Sequence, residues 1–360
     1  MEVDVLIVGA GPAGSTTARY CAGKDLDVLM IDRRKEIGHP VQCGEFLPAT
    51  KEMYTMFPKS IDLEELFAVE DGDVAGEVHR VDLVSPGQRV FQCEFEGTTL
   101  DRRSFDKHLA RLATESGARL ETSKSFLRLE NGIARTTMGD IRAKVVVGAD
   151  GPNSRTAVFA GLERPAARYP AITCQVDGDF EPVIKMYFGS VAPGGYAWVI
   201  PKKRGANIGA GFSPRMTKEK PSECFARFAA GIGATYRDMT MGFVPMSGPV
   251  SQTVNGNVLL VGDAAGQVMA SNGGGIPISM IAGRIAGQAI RAHIKDGVPL
   301  SEYERLWRAV LERPLRNALW TRRLGDFFFP TDRRTEFAMR VLGKRGLLRA
   351  IRCTKVFYVV

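Results

Sequence analysis

The first thirty-two residues constrain the chain most. Val5-Leu6-Ile7-Val8 is a short apolar run, and Gly9-Ala10-Gly11-Pro12-Ala13-Gly14 follows it at once. Ser15 to Gly23 reads as helix, and a second apolar run, Val28-Leu29-Met30-Ile31, ends in Asp32. Strand, glycine turn, helix, strand and terminal acid is the order of a parallel unit that binds a dinucleotide. Gly9 permits the tight turn, Gly11 lets backbone approach a pyrophosphate, and Gly14 lets helix and strand pack closely. The helix N-terminus offers its N–H groups to the anion. Asp32 is placed to accept hydrogen bonds from a ribose.

A chain of 360 residues has room for two intimately joined domains. No apolar run approaches the ~20 residues of a spanning helix, and a first strand starting at Val3 leaves no place for a signal peptide. The six cysteines (Cys21, Cys43, Cys93, Cys174, Cys224, Cys353) are scattered, with no C-x-x-C. Neither a disulfide framework nor a metal site is expected, and the reading is a reducing cytosol. The formal net charge of +8 is uneven: from Arg313 to Val360 there are twelve Lys/Arg against three Asp/Glu. That tail also carries Phe327-Phe328-Phe329-Pro330, Leu347-Leu348 and Val356 to Val360. Basic residues interleaved with apolar ones fit a membrane interface better than a nucleic-acid duplex, so no nucleic acid is expected. A solvated helical subdomain with snorkelling side chains is the bland alternative.

Two later motifs repeat the first message. Val145-Val146-Val147 is a buried strand ending in Gly148-Ala149-Asp150-Gly151, and Val258-Leu259-Leu260-Val261 ends in Gly262-Asp263-Ala264-Ala265. Each sets a carboxylate at the carboxyl edge of a parallel sheet, where doubly wound folds bind ligands. Either alone reads equally well as a turn with an Asp cap. The dinucleotide domain is therefore expected in three pieces, residues 1–75, 98–168 and 251–292. Between them, 76–97 and 169–250 alternate like an antiparallel sheet, and 293–360 reads as a basic helical region. The fold class is α/β, a Rossmann-like domain interleaved with an antiparallel-sheet substrate domain.

The three glycine motifs in this order resemble the FAD-dependent p-hydroxybenzoate hydroxylase superfamily, and within it the geranylgeranyl reductases, including the archaeal digeranylgeranylglycerophospholipid reductases. Four segments carry the resemblance: Ile37 to Glu45 with its C-G-E, Leu100 to Leu109, Gly189 to Lys202 with its A-P-G-G-Y-A-W-V-I-P-K, and Gly273-Gly274-Gly275-Ile276. It covers roughly residues 1–290. It implies that Ala13 and Asp32 hold the pyrophosphate and adenosine ribose of FAD. Cys43, Gly44 and Phe46 would lie on the flavin side, and Arg102 would reach the phosphate or ribose. Phe126 would lie by the adenine, Asp263 at the ribityl-phosphate, and Gly275 and Ile276 would present N–H groups to the flavin ring. The chain departs from the pattern at Met269-Ala270-Ser271-Asn272, at Phe46, where a glycine is common, and at Ile200, where a Phe is common.

The activity implied is reduction of isolated alkenes in geranylgeranyl chains, carried by membrane glycerophospholipids. Cys43 is the candidate proton donor, because a thiol of ordinary pKa stays protonated at neutral pH; a small buried core residue is the alternative. Tyr196 and Trp198 alternate on a strand, so both face one side and would wall an isoprenoid channel, or else pair within a core. The electron donor is open among a ferredoxin, NADPH and another reduced carrier, since a second nucleotide fingerprint is missing. Localisation is read as cytoplasmic, with peripheral contact on the inner face of the membrane. An aromatic hydroxylase on the same fold and a non-catalytic flavoprotein are the competing readings.

Overall fold

The computed structural model describes residues 1–356, so all but the first residue of the apolar run Val356 to Val360 lies outside the described residues. β1 (Glu2–Val8) is the centre of the first sheet. It pairs in parallel with β2 (Val28–Ile31) on one side and β9 (Gly139–Gly148) on the other. Val5 lies opposite Val28 and Val145, and Ile7 opposite Met30 and Val147. Where they lie side by side, at Val5–Val8, Val28–Ile31 and Val145–Val147, these strands are apolar because both faces are covered. β6 (Arg119–Glu121) extends the sheet beyond β2, and β16 (Val258–Leu260) extends it beyond β9, with β15 (Val254–Asn255) at that edge. A hairpin of β7 (Phe126–Glu130) and β8 (Ile133–Thr136) pairs with β9.

The helix after the glycine turn, α1 (Pro12–Cys21), starts three residues earlier than the sequence suggests. Pro12 occupies its first turn, where a fixed φ and a missing N–H cost nothing. α1 packs against α4 (Arg102–Glu115) and, most closely, against α7 (Ile276–Asp296). A Cβ on Gly283 would sit 2.8 Å from Ala13 O, and one on Gly287 would sit 2.6 Å from Thr17 O. These two glycines bring the third glycine motif onto the first.

The second sheet runs β14 (Tyr236–Pro245), β10 (Arg168–Val176), β13 (Gly205–Gly211), β12 (Tyr196–Lys202), β11 (Val183–Tyr187), β4 (Val74–Val84), β5 (Val90–Leu100) and β3 (Phe46–Pro48). It is antiparallel as expected except at β4–β11, which are parallel. A parallel neighbour needs a long crossover, and here the chain passes through the first sheet between the two strands. The expected divisions at 75/76 and 97/98 fall inside β4 and β5, and β3, within 1–75, belongs to this sheet. A three-residue strand carries no alternation to read, and the β4–β5 hairpin runs beyond its alternating part. Short helices α2 (Thr50–Met56), α3 (Leu63–Leu66), α5 (Arg155–Phe159) and α6 (Pro221–Gly231) fill the margins.

One hydrophobic core joins the sheets, containing Ile7 and Val147 from the first and Leu83, Phe95 and Trp198 from the second. α8 (Glu302–Phe328) is fastened to it: Tyr303 Oη donates to Leu260 O at 3.0 Å, and Trp307 Nε1 to Thr253 Oγ1 at 3.0 Å. α9 (Asp332–Ile351) lies against the second sheet, where Asp332 accepts from Ser190 N–H and Arg352 pairs with the buried Glu52 at 2.7 Å. No helix among the described residues is long and apolar enough to cross a membrane.

The α1–α7 crossing yields a direct test. Gly287→Leu should cost about 3 kcal/mol and lower the melting temperature by about 6 °C, because the helices must separate. Gly231→Ala, where nothing lies within 4 Å of the added carbon, should shift it by no more than about 2 °C. Thermal unfolding followed by circular dichroism checks both.

Candidate active site

The three glycines of the first turn have different jobs. Gly9 has φ +103°, and a Cβ there would lie 2.4 Å from Ala149 O. A Cβ on Gly14 would lie 1.9 Å from Gly9 O. Both are demanded by the protein's own packing. A Cβ on Gly11 meets nothing within 4 Å; it would project into open space beside the start of α1, where no side chain caps the helix. Asp32 is buried, with Oδ2 accepting from Ala10 N–H at 2.9 Å and Oδ1 from Arg34 N–H at 2.8 Å. It ties β2 to the glycine turn.

A cavity of about 1040 Å³ runs from this turn into the second sheet. Gly9, Gly11, Ala13, Asp32 and Phe126 line one part, and Arg102, Asp263, Gly275 and Ile276 another. Cys43, Gly44, Phe46, Tyr196 and Trp198 also line it. Of the residues singled out from the sequence only Gly14 is not at the wall, as its packing role requires. Phe126 stacks edge-on against Phe159, with ring centroids 6.2 Å apart. Arg102 is held by a two-pronged ion pair, Nε and Nη2 each 2.8 Å from Asp106.

Asp150 and Asp263, alike in sequence, part company here. Asp150 accepts from Ser154 Oγ at 2.5 Å, Arg155 N–H at 2.8 Å and Thr156 N–H at 3.0 Å. It is a cap for α5. The Asp263 carboxylate has no hydrogen-bond partner among the described residues, and Gly275 at the start of α7 stands beside it. Burial pushes its carboxyl from 3.8 up to about 6, with Arg102 pulling the other way. An unsatisfied carboxylate deep in a cavity wants hydroxyl donors. Together with the uncapped helix and the open face of Gly11, it fits the hydroxyls and phosphates of FAD.

Around Cys43 the chain is held by a buried polar cluster. Glu45, 1% exposed and at φ 66°, lies 2.6 Å from Lys202 Nζ. It also accepts from Asn207 Nδ2 at 2.8 Å and Gln175 Nε2 at 2.9 Å. Asn207 Nδ2 donates to Cys43 O at 3.0 Å as well, and Asn207 Oδ1 accepts from Trp198 Nε1 at 2.8 Å and Thr173 Oγ1 at 2.8 Å. The thiol meets the backbone of Glu45, whose N–H donates to Cys43 Sγ at 3.2 Å. Burial pushes the Cys43 thiol up, against the smaller pull of Arg102 and of that N–H. Asn207 and Gln175 were missed in the sequence. Asn207 had a signal: one amide in a strand of Gly, Ala and Ile must find buried partners.

Aromatic rings continue from there. Trp198 and Tyr196 centroids are 5.8 Å apart, Tyr196 and Phe188 5.9 Å, and Phe188 and Phe329 6.1 Å. Tyr196 Oη donates to Asn272 O in the loop before α7, and burial raises its pKa. Elsewhere, Glu70, Asp73 and His108 form a grouping of ligand-type side chains that sequence spacing did not reveal. Asp73 there accepts from Ser104 Oγ at 2.8 Å and Glu70 N–H at 3.1 Å, and lies 2.6 Å from His108 Nδ1, so it ties the turn before β4 to α4.

Comparison with known proteins agrees with this geometry. Residues 164–241 match the geranylgeranyl reductase catalytic domain, and residues 7–52 an NAD(P)-binding Rossmann-like domain. Digeranylgeranylglycerophospholipid reductase 2 of Methanococcoides burtonii is 34% identical over 348 residues, spanning 88% of this chain and 82% of its own. Digeranylgeranylglycerophospholipid reductase 1 of Methanopyrus kandleri is 36% identical, spanning 85% and 86%. The crystal structure of a geranylgeranyl bacteriochlorophyll reductase-like protein from Thermoplasma acidophilum superposes with a TM-score of 0.83 at 29% identity, covering 93% of this chain and 90% of that one. A probable FAD-dependent monooxygenase from Pseudomonas aeruginosa, TM-score 0.69 at 15% identity over 94% of this chain and 100% of its own, shares the fold. The chain belongs to the FAD-dependent geranylgeranyl reductase family.

Proposed function

We propose that this protein saturates carbon–carbon double bonds of geranylgeranyl chains carried on a membrane glycerophospholipid. The observation that carries this reading is the continuity of one cavity from the dinucleotide turn to a chamber walled by Trp198, Tyr196, Phe188 and Phe329 beside Cys43. An isoprenoid chain offers almost no polar handles, and aromatic walls suit it. Gly11, Asp32, Arg102, Asp263 and Gly275 would hold FAD, which once reduced by a carrier such as a ferredoxin or NADPH would supply a hydride to one alkene carbon.

The chain's own residues supply position, dryness and a proton. Saturation breaks one carbon–carbon π bond and forms two C–H bonds, so a proton must be delivered inside an apolar chamber. Cys43 Sγ holds one, because its burial favours the neutral thiol. It gives that proton to the alkene carbon and regains one from water. Glu45, Lys202 and Asn207 fix the backbone that follows that sulfur. Phe46, Phe126 and Ile276 complete the cofactor walls, and Ala13 the pyrophosphate turn. Substrate is reached at a membrane surface, through the basic C-terminal region.

Dithionite-reduced protein incubated with a geranylgeranyl lipid should yield product heavier by about two mass units per bond reduced, read by mass spectrometry. Absence of that gain with flavin-loaded protein would exclude the activity. Gly11→Val should abolish flavin retention without unfolding the protein, since its side chain enters the space left for the cofactor; absorbance of the purified protein and its melting curve read the two effects apart. Asp32→Ala should also release flavin. Cys43→Ser should keep the flavin and lose alkene reduction by about 10²-fold or more.

Asp263 links the site to pH. Its raised pKa means that the flavin-free protein carries a penalty that is absent below pH 3.8, grows between there and about 6, and is constant above. Asp263→Asn should therefore raise the flavin-free melting temperature by about 2–6 °C above pH 6 and leave it unchanged near pH 4, while weakening flavin binding. A stabilisation equal at both pH values would contradict the assignment.

A further inference from the structure

The outward faces of α8 and α9 are unusual for helices at a protein surface. Arg313, Arg316, Trp320, Arg323 and Phe327 recur at steps of three and four, so they share one face of α8, and all five are exposed. Trp320 is 58% exposed and Phe327 65%. On α9, Arg334, Phe337 and Val341 share a face, with Phe337 61% and Val341 60% exposed. The two faces meet, because the Arg334 guanidinium lies 5.8 Å from the Phe327 ring centroid.

Charge on this corner is unbalanced. Asp326 is paired with Arg322 at 3.1 Å, Glu336 is engaged by Arg340 and by Gly87 N–H, and Asp332 by Ser190. Arg313, Arg316, Arg323 and Arg333 have no carboxylate partner among the described residues. Large apolar side chains set among unneutralised arginines complement an anionic, partly apolar surface, which a bilayer of anionic lipids presents.

The corner also opens onto the cavity. Phe328, Phe329, Phe337 and Val341 line it, and the ring series from Phe329 through Phe188 and Tyr196 ends at Trp198, next to Gly44 and Cys43. We propose that the α8–α9 corner docks on an anionic lipid bilayer, and that a prenyl chain slides from the bilayer between Phe328, Phe329 and Phe337 into the cavity without crossing water. The entry route rests on the reading of the protein as a prenyl-chain reductase; the docking face stands on exposure and charge alone.

The protein carries its own reporter. Trp198 is 7% and Trp307 0% exposed, so Trp320 is the tryptophan that a surface reaches. Mixed phosphatidylglycerol–phosphatidylcholine vesicles should shift its emission to the blue, brominated acyl chains should quench it, and Trp320→Phe should remove both effects. The triple variant R316E/R323E/F327S should bind such vesicles about tenfold or more weakly. It should still reduce a detergent-dispersed geranylgeranyl lipid at the wild-type rate while losing reduction of the same lipid held in vesicles. Vesicle binding without any change in Trp320 emission, or no binding, overturns the docking face. Equal loss in detergent and vesicles overturns the entry route. Trp320 quenching in a protein that reduces neither preparation retains the docking face and refutes the reductase reading instead.

Discussion

A buried carboxylate ties the chain, as it leaves the dinucleotide region, to the second sheet. Glu45 lies at the point where the chain leaves the dinucleotide region for the second sheet, and its acid is shared by Lys202, Asn207 and Gln175 from β12, β13 and β10. Its own carbonyl accepts from Leu100 N–H at 2.6 Å, which pins the end of β5. A carboxylate removed from water is costly unless its lone pairs are met by cations and donors. Here the meeting of those partners is what orders the Cys43 segment, so the thiol's position follows from an ion pair two residues away.

The cofactor region is assembled differently, by close approach of small residues. Gly9 and Gly14 leave no room for side chains, and Gly283 and Gly287 allow α7 to lie on the backbone of α1. The start of α7, Asp263 and the first glycine turn, more than 240 residues apart in the chain, thereby share one wall. A Cβ would be crowded out at Gly9, Gly14, Gly283 and Gly287 but not at Gly11, and the open face there is what a pyrophosphate needs. The Asp263 carboxyl, its pKa raised by burial, stands in the same wall without a side-chain hydrogen-bond partner among the described residues.

Much of this was legible beforehand. The apolar runs at Val5, Val28, Val145 and Val258 each form a strand, and a strand covered on both faces announces itself in the sequence by continuous hydrophobicity. The helix α4 (Arg102–Glu115) is legible from the spacing of Phe105, Leu109 and Leu112, although Leu100 just before it ends β5. The parallel β4–β11 pair, the short β3 and the ends of β4 and β5 were not, since pairing partners and strand ends are set by distant segments rather than local pattern. Asp150 and Asp263 followed equivalent strands, and nothing local told a helix cap from a free acid. Tyr196 and Trp198 were read correctly as neighbours on one side of a strand, and their rings do meet. Asn207, which joins Trp198 to Cys43, announces in the sequence only that its amide needs buried partners; which partners is decided once β13 lies beside β12.

FAD followed from the chain's resemblance to a known family, while the sequence by itself determined that a dinucleotide turn opens the chain and that the basic residues gather at the end. Those properties are local, written in glycine spacing, apolar runs and charge. Only the tertiary structure decided which acid is free, how the thiol is held, and where the arginines of α8 stand relative to the cavity. Each of these depends on burial and on partners brought from far along the chain, and neither exists until the two sheets close on a common core.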